Sequence, residues 1–324
     1  MSNKDKAIGL MNEWGKQKIP FLFIIDYELL HPIVLRLDEI NINDLWYDIN
    51  GFSNSKEAAN IDKKIIFSKY PLAFEDYSSK FQCLKRHIDE GNTYLCNLTC
   101  ETPIDINLTL KEIFIASKAK YKLLLNDKVL VFSPETFISI RNNRISSNPM
   151  KGTIDAAIAN AEEEIMNNPK EIAEHYTIVD LIRNDLSMVA QKVQVEKFRY
   201  VEKIDTNNKD LLQISSLITG VLEDDYHSRI GDLLFTLLPA GSICGAPKKR
   251  TLEIIKEIEG YERGYYTGVV GIFDGENLDS GVMIRFIERK MNGLVFKSGG
   301  GITSFSDVEM EYQEMIDKVY VPIT

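Results

Sequence analysis

The sequence predicts an α+β fold, with antiparallel strands and interspersed helices in one compact unit. Short apolar or alternating runs recur along the chain, separated by the hairpin dipeptides Asn126-Asp127, Asn142-Asn143, Asp274-Gly275 and Asn292-Gly293. Helical periodicity is confined to separate segments, several of them closed by glycine. The 324 residues are 44% hydrophobic and contain no repeat, linker or low-complexity stretch, which excludes a disordered or fibrous chain.

In chain order, Phe21 to Tyr27 and Ile33 to Leu37 read as strands, and Asn50 to Asn60 as a polar loop. Tyr77, Phe81, Leu84 and Ile88 form one helical stripe that Gly91 terminates. Tyr94 to Cys100 alternates as a strand, which puts Cys96 and Cys100 on one face in a packing role. A short helix, Leu110 to Ala119, precedes four strands at 121–125, 129–133, 137–141 and 144–147. Pro169 opens a helix to about Asp185. Val193 to Phe198 and Tyr200 to Ile204 are strand-like, and Arg229 to Leu238 is helical. The loop PAGSICGAP leads into a helix from Lys248 to Glu259, ended by Gly260. Three strands follow, and Ser306 with Glu309 forms a capping box for the last helix.

With 38 basic and 48 acidic side chains the net charge is −10, which argues against nucleic acid as the main partner. A small anion needs only a local cationic pocket. The first residues lack the apolar core of a signal peptide, and no run approaches the roughly 20 apolar residues of a membrane helix. Cys83, Cys96, Cys100 and Cys244 form no CxxC motif, so free thiols in a reducing cytoplasm are expected.

Four constellations carry chemistry. Glu171 and Glu174 share a helix face at i, i+3, and Glu311 and Glu314 repeat that spacing on the last helix, with Lys318 one turn beyond. Each pair alone is an ordinary acidic helix face. Two pairs facing each other would hold a hard divalent cation through oxygens. The three consecutive glycines Gly299, Gly300 and Gly301 read as a loop whose amides can approach an anion closely, and Ser242 in the PAGSICGAP loop offers a hydroxyl. Lys151 lies in a loop, and a lone loop lysine is ordinarily a surface charge; as a nucleophile it must be uncharged. Glu135 sits at a turn. Arg285 within an apolar strand requires a partner or ligand, and Tyr266 reads otherwise as a core aromatic.

The segments SPETF, PMKGT, EHYTIVDLIRNDL, PAGSICGAPKKRTLEII, YYTGVVG, VMIRF and GGGITSFSDVEMEYQEMIDK occur in the order and spacing of the chorismate-utilising enzymes, which the chain resembles from about Tyr70 to Pro322. The resemblance implies a two-lobed sandwich of antiparallel β-sheets with flanking helices. It implies a short N-terminal segment, 1–65, packed on a chorismate-binding catalytic domain, 66–324. Lys151 matches the lysine that aminodeoxychorismate synthases carry where anthranilate synthases carry alanine. There it attacks chorismate at C2 and expels the C4 hydroxyl, and ammonia then displaces it. Glu135 matches the general acid that protonates the leaving hydroxyl.

By the same resemblance, Glu174 and Glu314 would bind Mg²⁺ directly and Glu171 and Glu311 through water. Ser242, Tyr266, Arg285, Gly299, Gly300, Gly301 and Lys318 would bind the substrate. Gln213 stands where a histidine is frequent, which argues against anthranilate and salicylate formation. Leu95 stands where isochorismate synthases place a lysine base, which argues against that reaction. A separate glutamine amidotransferase subunit is the implied ammonia source. The alternatives are an anthranilate synthase large subunit and a non-catalytic small-anion-binding protein on the same scaffold.

Overall fold

The structure, a computed structural model, describes residues 2–57, 61, 63–204 and 211–323. Two nine-stranded sheets stack face to face, and every described strand pairing is antiparallel. The strand runs that read as continuously apolar are those buried on both faces. In the strand Phe21–Ile25, Phe21, Phe23 and Ile25 pack outward against a helix layer, while Leu22 and Ile24 pack inward against the opposite sheet. The strand Val129–Ser133 divides likewise: Val129 and Val131 meet the inter-sheet core, and Leu130 and Phe132 meet the outer helix Leu110–Ala116. Four layers result, helix–sheet–sheet–helix, as the α+β sandwich expectation requires.

The first sheet runs, by strand, Met150–Asp155, Leu211–Val221, Arg144–Ser147, Thr136–Arg141, Leu278–Val282, Val269–Phe273, Phe21–Ile25 and Ile33–Arg36, with Gln191–Ile204 also paired to Leu211–Val221. The helices Asn3–Lys16, Pro169–Ser187 and Ile230–Leu237 cover its outer face. The second sheet has Leu95–Ile106 and Gly293–Ile302 side by side, joined over nine residue pairs. Its outer face is covered at that end by Phe74–Asp89, Lys248–Glu259 and Val308–Asp317. Residues of the N-terminal segment enter both sheets: Phe21–Ile25 pairs with Val269–Phe273, and Leu45–Ile49 with Tyr121–Leu125.

Most sequence-predicted elements occur, but the strand read from Tyr94 to Cys100 runs Leu95–Ile106, the two strands read at 193–198 and 200–204 are one strand, Gln191–Ile204, and the helix read to Ala119 ends at Ala116. The hairpin residues Asn126, Asp127, Asn142 and Asn143 all adopt positive φ. Four strands, rather than three, follow Gly260, because the chain breaks at Arg285, where φ is +51°. The last helix is capped by Asp307, whose carboxylate accepts from the amides of Glu309 and Met310, and not by Ser306. The four cysteines are free, and Cys96 and Cys100 pack against the outer helices. Among the described residues no helix is long and apolar enough to cross a membrane.

The two sheets and the loop between Ala240 and Pro247 meet at a buried ion pair. Arg263 and Glu259, each 1% exposed, bond through two nitrogens of one guanidinium edge at 2.6 and 2.8 Å. Arg263 also donates to the carbonyls of Ile243 and Asn97 at 3.0 and 2.9 Å, and Glu259 accepts from the amide and hydroxyl of Thr99. Substituting Arg263→Met leaves this carboxylate buried without its cation. Urea unfolding is expected to show a loss of about 3–5 kcal/mol. A loss below about 1 kcal/mol, the range of an exposed pair, would contradict the clamp.

Candidate active site

Lys151 lies not in a loop but in the strand Met150–Asp155, at the margin of the first sheet. The pairing with Leu211–Val221 shifts register between Lys151 and Thr153, and Gly152 between them has φ +73°. The bulge re-aims the side chain toward the helix Pro169–Ser187. Lys151 Nζ stands 3.6 Å from Glu174 Oε2, with 19% of the lysine side chain and 7% of the glutamate side chain exposed. A Cβ built on Gly152 would stand 3.0 Å from Glu171 Oε2. Lys151 and the first acidic pair are therefore one cluster.

The glycine trio is also strand rather than loop. Gly299, Gly300 and Gly301 pair with Thr99, Leu98 and Asn97 within Gly293–Ile302. The neighbouring strand Phe286–Lys290 pairs only as far as Lys297, so beyond that point this edge of the glycine segment has no described strand partner. Successive residues of a strand face opposite sides. A Cβ on Gly301 would stand 3.4 Å from Lys151 Nζ and 3.0 Å from Leu95. One on Gly300 would stand 3.2 Å from Glu311, 3.6 Å from Glu314 and 3.7 Å from Lys318. The two acidic pairs, from two different helices, thus both border the same strand, which is stripped of side chains there. Side chains at Gly300 and Gly301 would crowd Glu311, Glu314 and Lys318 on one hand and Lys151 on the other.

The second cluster is tightly held. Lys318 Nζ donates to the Gly299 carbonyl at 2.8 Å and pairs with Glu314 at 2.7 Å. Burial, offset in part by Glu314, lowers its pKa, and the charges of Arg285 and Lys151 push in the same direction. Ser306, freed from capping, donates to Glu311 Oε1 at 2.7 Å. Glu174 and Glu311 are among the few buried carboxylates of the described chain. Four hard carboxylate oxygen donors, two of them on buried side chains, suit Mg²⁺ in donor chemistry.

Glu135 precedes the strand Thr136–Arg141 and accepts from the Ser242 hydroxyl at 2.6 Å. Ser242 is placed by the one-turn helix Gly241–Cys244, which packs on Pro169–Ser187. A Cβ on Gly241 would stand 3.0 Å from Asp185 Oδ2, and Asp185 pairs with Lys248 at 2.6 Å. Burial raises the Asp185 pKa, and Lys248 opposes the rise.

Arg285 is in the left-handed link between strands, where Nε donates to the Tyr320 hydroxyl at 3.5 Å. A residue inside a strand would have its side chain locked into the sheet; the link turns this one outward. Tyr266 is 4% exposed, with its ring 5.7 Å from Phe286 in the inter-sheet core, and burial raises its pKa. It lies within the field of Arg285.

Sequence reasoning assigned no role to Asn97, Arg263, Asp185 or Lys248. Asn97 donates to the Ser242 carbonyl at 3.0 Å, and its Oδ1 is 3.7 Å from the Gly301 Cβ position. Asp185 and Lys248 stand in the segments DLIRNDL and GAPKK, but their pairing spans 63 positions and leaves no local signal. His175, beside Glu174, is buried and bonds Ser216 at 2.7 Å; burial lowers its pKa to about 4.

Residues 41–324 match the chorismate binding enzyme family. The chain is 47% identical over 312 residues to the uncharacterized PabA-like protein of Haemophilus influenzae, covering 96% of this chain and 95% of that one. It is 31% identical over 334 residues to aminodeoxychorismate synthase component 1 of Escherichia coli, covering 97% and 69%. Among solved structures, a Bacillus anthracis protein described as a 2,3-dihydroxybenzoate-specific isochorismate synthase shares the fold with a TM-score of 0.73. That match is 20% identical and covers 98% of this chain and 86% of that chain. The chain belongs to the chorismate binding enzyme family and is a chorismate-utilising enzyme.

Proposed function

We propose that this chain is an aminodeoxychorismate synthase component I, converting chorismate and ammonia to 4-amino-4-deoxychorismate and water. Its support is one observation above all: Lys151 is largely shielded from solvent, 3.6 Å from Glu174 and against the glycine strand. A surface lysine has no reason to be there. The relatives named aminodeoxychorismate synthase add weight at about one-third identity.

In the proposed reaction Lys151 Nζ, as the free amine, bonds to C2 of chorismate. The ring double bonds shift and the C4–O bond breaks. Glu135, held by Ser242, supplies the proton with which the hydroxyl leaves as water. Ammonia then bonds to C4, the double bonds shift back, and the C2–N bond to Lys151 breaks. Splitting one displacement into two avoids direct attack of ammonia on a carbon bearing a poor leaving group. The contact with Glu174 must open before Lys151 can attack.

Leu95 lies against the same Gly301 face as Lys151 and brings no base to activate water there. Glu174 and Glu314 would hold Mg²⁺ directly, with Glu171 and Glu311 behind its waters; bound there, it would anchor the ring carboxylate and balance the acidic cluster. Lys318, Arg285, Tyr266 and the glycine amides would meet the enolpyruvyl carboxylate and its surroundings. A separate glutamine amidotransferase would supply ammonia, and the product would serve p-aminobenzoate and folate synthesis in the cytoplasm.

Incubation with chorismate, Mg²⁺ and ammonia, followed by chromatography and mass spectrometry, tests the assignment. The expected product yields p-aminobenzoate only after a lyase is added; anthranilate or isochorismate appearing directly would overturn it. Intact-mass measurement should find a chorismate-derived adduct on the wild-type chain and none on Lys151→Ala, whose turnover should be abolished with its circular dichroism unchanged. Full turnover in that variant removes Lys151 from the mechanism. Glu135→Gln should lose about 10²–10⁴-fold in kcat. Chelation with EDTA should abolish turnover and added Mg²⁺ restore it; activity that persists in excess EDTA would eliminate the metal from the proposal.

A further inference from the structure

On the outer face of the second sheet, between two of its covering helices, three side chains of different chemistry converge. Cys83 and His87 are one turn apart on the helix Phe74–Asp89. Glu257 faces them from the helix Lys248–Glu259. A thiol sulfur, an imidazole nitrogen and a carboxylate oxygen from these residues all lie within 4.8 Å of one another. His87 Nε2 is 4.0 Å from Glu257 Oε2. Among the described residues this is the one such group of three metal-ligating side chains drawn from His, Cys, Asp and Glu.

We propose that Cys83, His87 and Glu257 form a binding site for a zinc-class divalent cation, distinct from the hard-oxygen glutamate cluster. The donor set is one soft thiolate, one imidazole and one carboxylate, which is a combination zinc accepts and magnesium does not. With bonds of about 2.0–2.3 Å, tetrahedral ligands stand roughly 3.3–3.6 Å apart. Closing the observed group to that size takes side-chain adjustments of an ångström or so, and Glu257, 60% exposed, is free to make them.

His87 is partly oriented already, since its Nδ1 lies 3.2 Å from the Asn92 amide. Coordination through Nε2 places the ring proton on Nδ1, and a half-turn of the Asn92 amide then offers oxygen to it. Cys83 loses its thiol proton to solvent on binding, so affinity falls as pH is lowered. Water completes the fourth position. Such a site fastens one covering helix to the helix whose last residue, Glu259, bonds Arg263.

Cobalt(II) is the direct probe, because a thiolate ligand produces a near-ultraviolet charge-transfer band that carboxylates cannot. The other three thiols are buried. Titration of the full chain with Co²⁺, in a reductant without thiols, should give the band at one equivalent, and Zn²⁺ should displace it. Cys83→Ser should remove the band and His87→Gln should weaken binding at least tenfold. Glu257→Gln, at an exposed position that cannot threaten folding, should weaken it while keeping the band. Mg²⁺-supported chorismate turnover in Cys83→Ser should match wild type. Absence of the band, or its survival in Cys83→Ser, overturns the proposal.

Discussion

The pairing of Arg263 with Glu259 is the constraint on which the rest of the molecule depends. A guanidinium and a carboxylate taken out of water cost several kcal/mol each unless every donor and acceptor is met. Here the guanidinium meets the carboxylate twice, the carbonyls of Ile243 and Asn97, and the face of Tyr27 at 4.6 Å. Those contacts reach the Ala240–Pro247 loop, the strand Leu95–Ile106 and Tyr27, just past the end of the first-sheet strand Phe21–Ile25, at once. Moving any of the three strands a buried charge, so their relative placement is stiff.

That stiffness locates the chemistry. The loop fastened at Ile243 carries Ser242, which holds Glu135. The strand fastened at Asn97 carries the register that sets Gly299–Gly301 beside it. The glycines remove side chains where two helices and a bulged strand bring four carboxylates and two lysines together. Like charges at such spacing are tolerable only with counter-charge at hand, and Lys151 and Lys318 each supply one ion pair. The same crowding explains why Lys318, desolvated and within the fields of Lys151 and Arg285, is poised to lose its proton more readily than a surface lysine.

Neighbouring residues of one strand serve different layers. Leu95 and Asn97 face the glycine strand's Lys151 side. Cys96, Leu98 and Cys100 face the helices that carry Cys83, His87 and Glu257.

The sequence by itself determined the elements with strong local signals. The helix stripe Tyr77–Phe81–Leu84–Ile88, the hairpin turns at Asn126 and Asn142, and the helix ended by Gly260 need only periodicity and turn chemistry. The residues of the candidate site were legible as i, i+3 glutamate pairs, a glycine run and ordered motifs. Only the tertiary structure decided where those residues stand and what surrounds them. Lys151 and the glycines look like loop because bulges and glycine-rich strands lack alternation, and their pairing partners lie far along the chain. Arg285 looks like strand because its neighbours are apolar, yet a positive φ turns it out of the sheet. The partners of Asp185, Glu259 and Glu135 are set by packing across the fold, and burial, which decides whether a charge is solvated or held, is a property of the assembled layers and not of any segment.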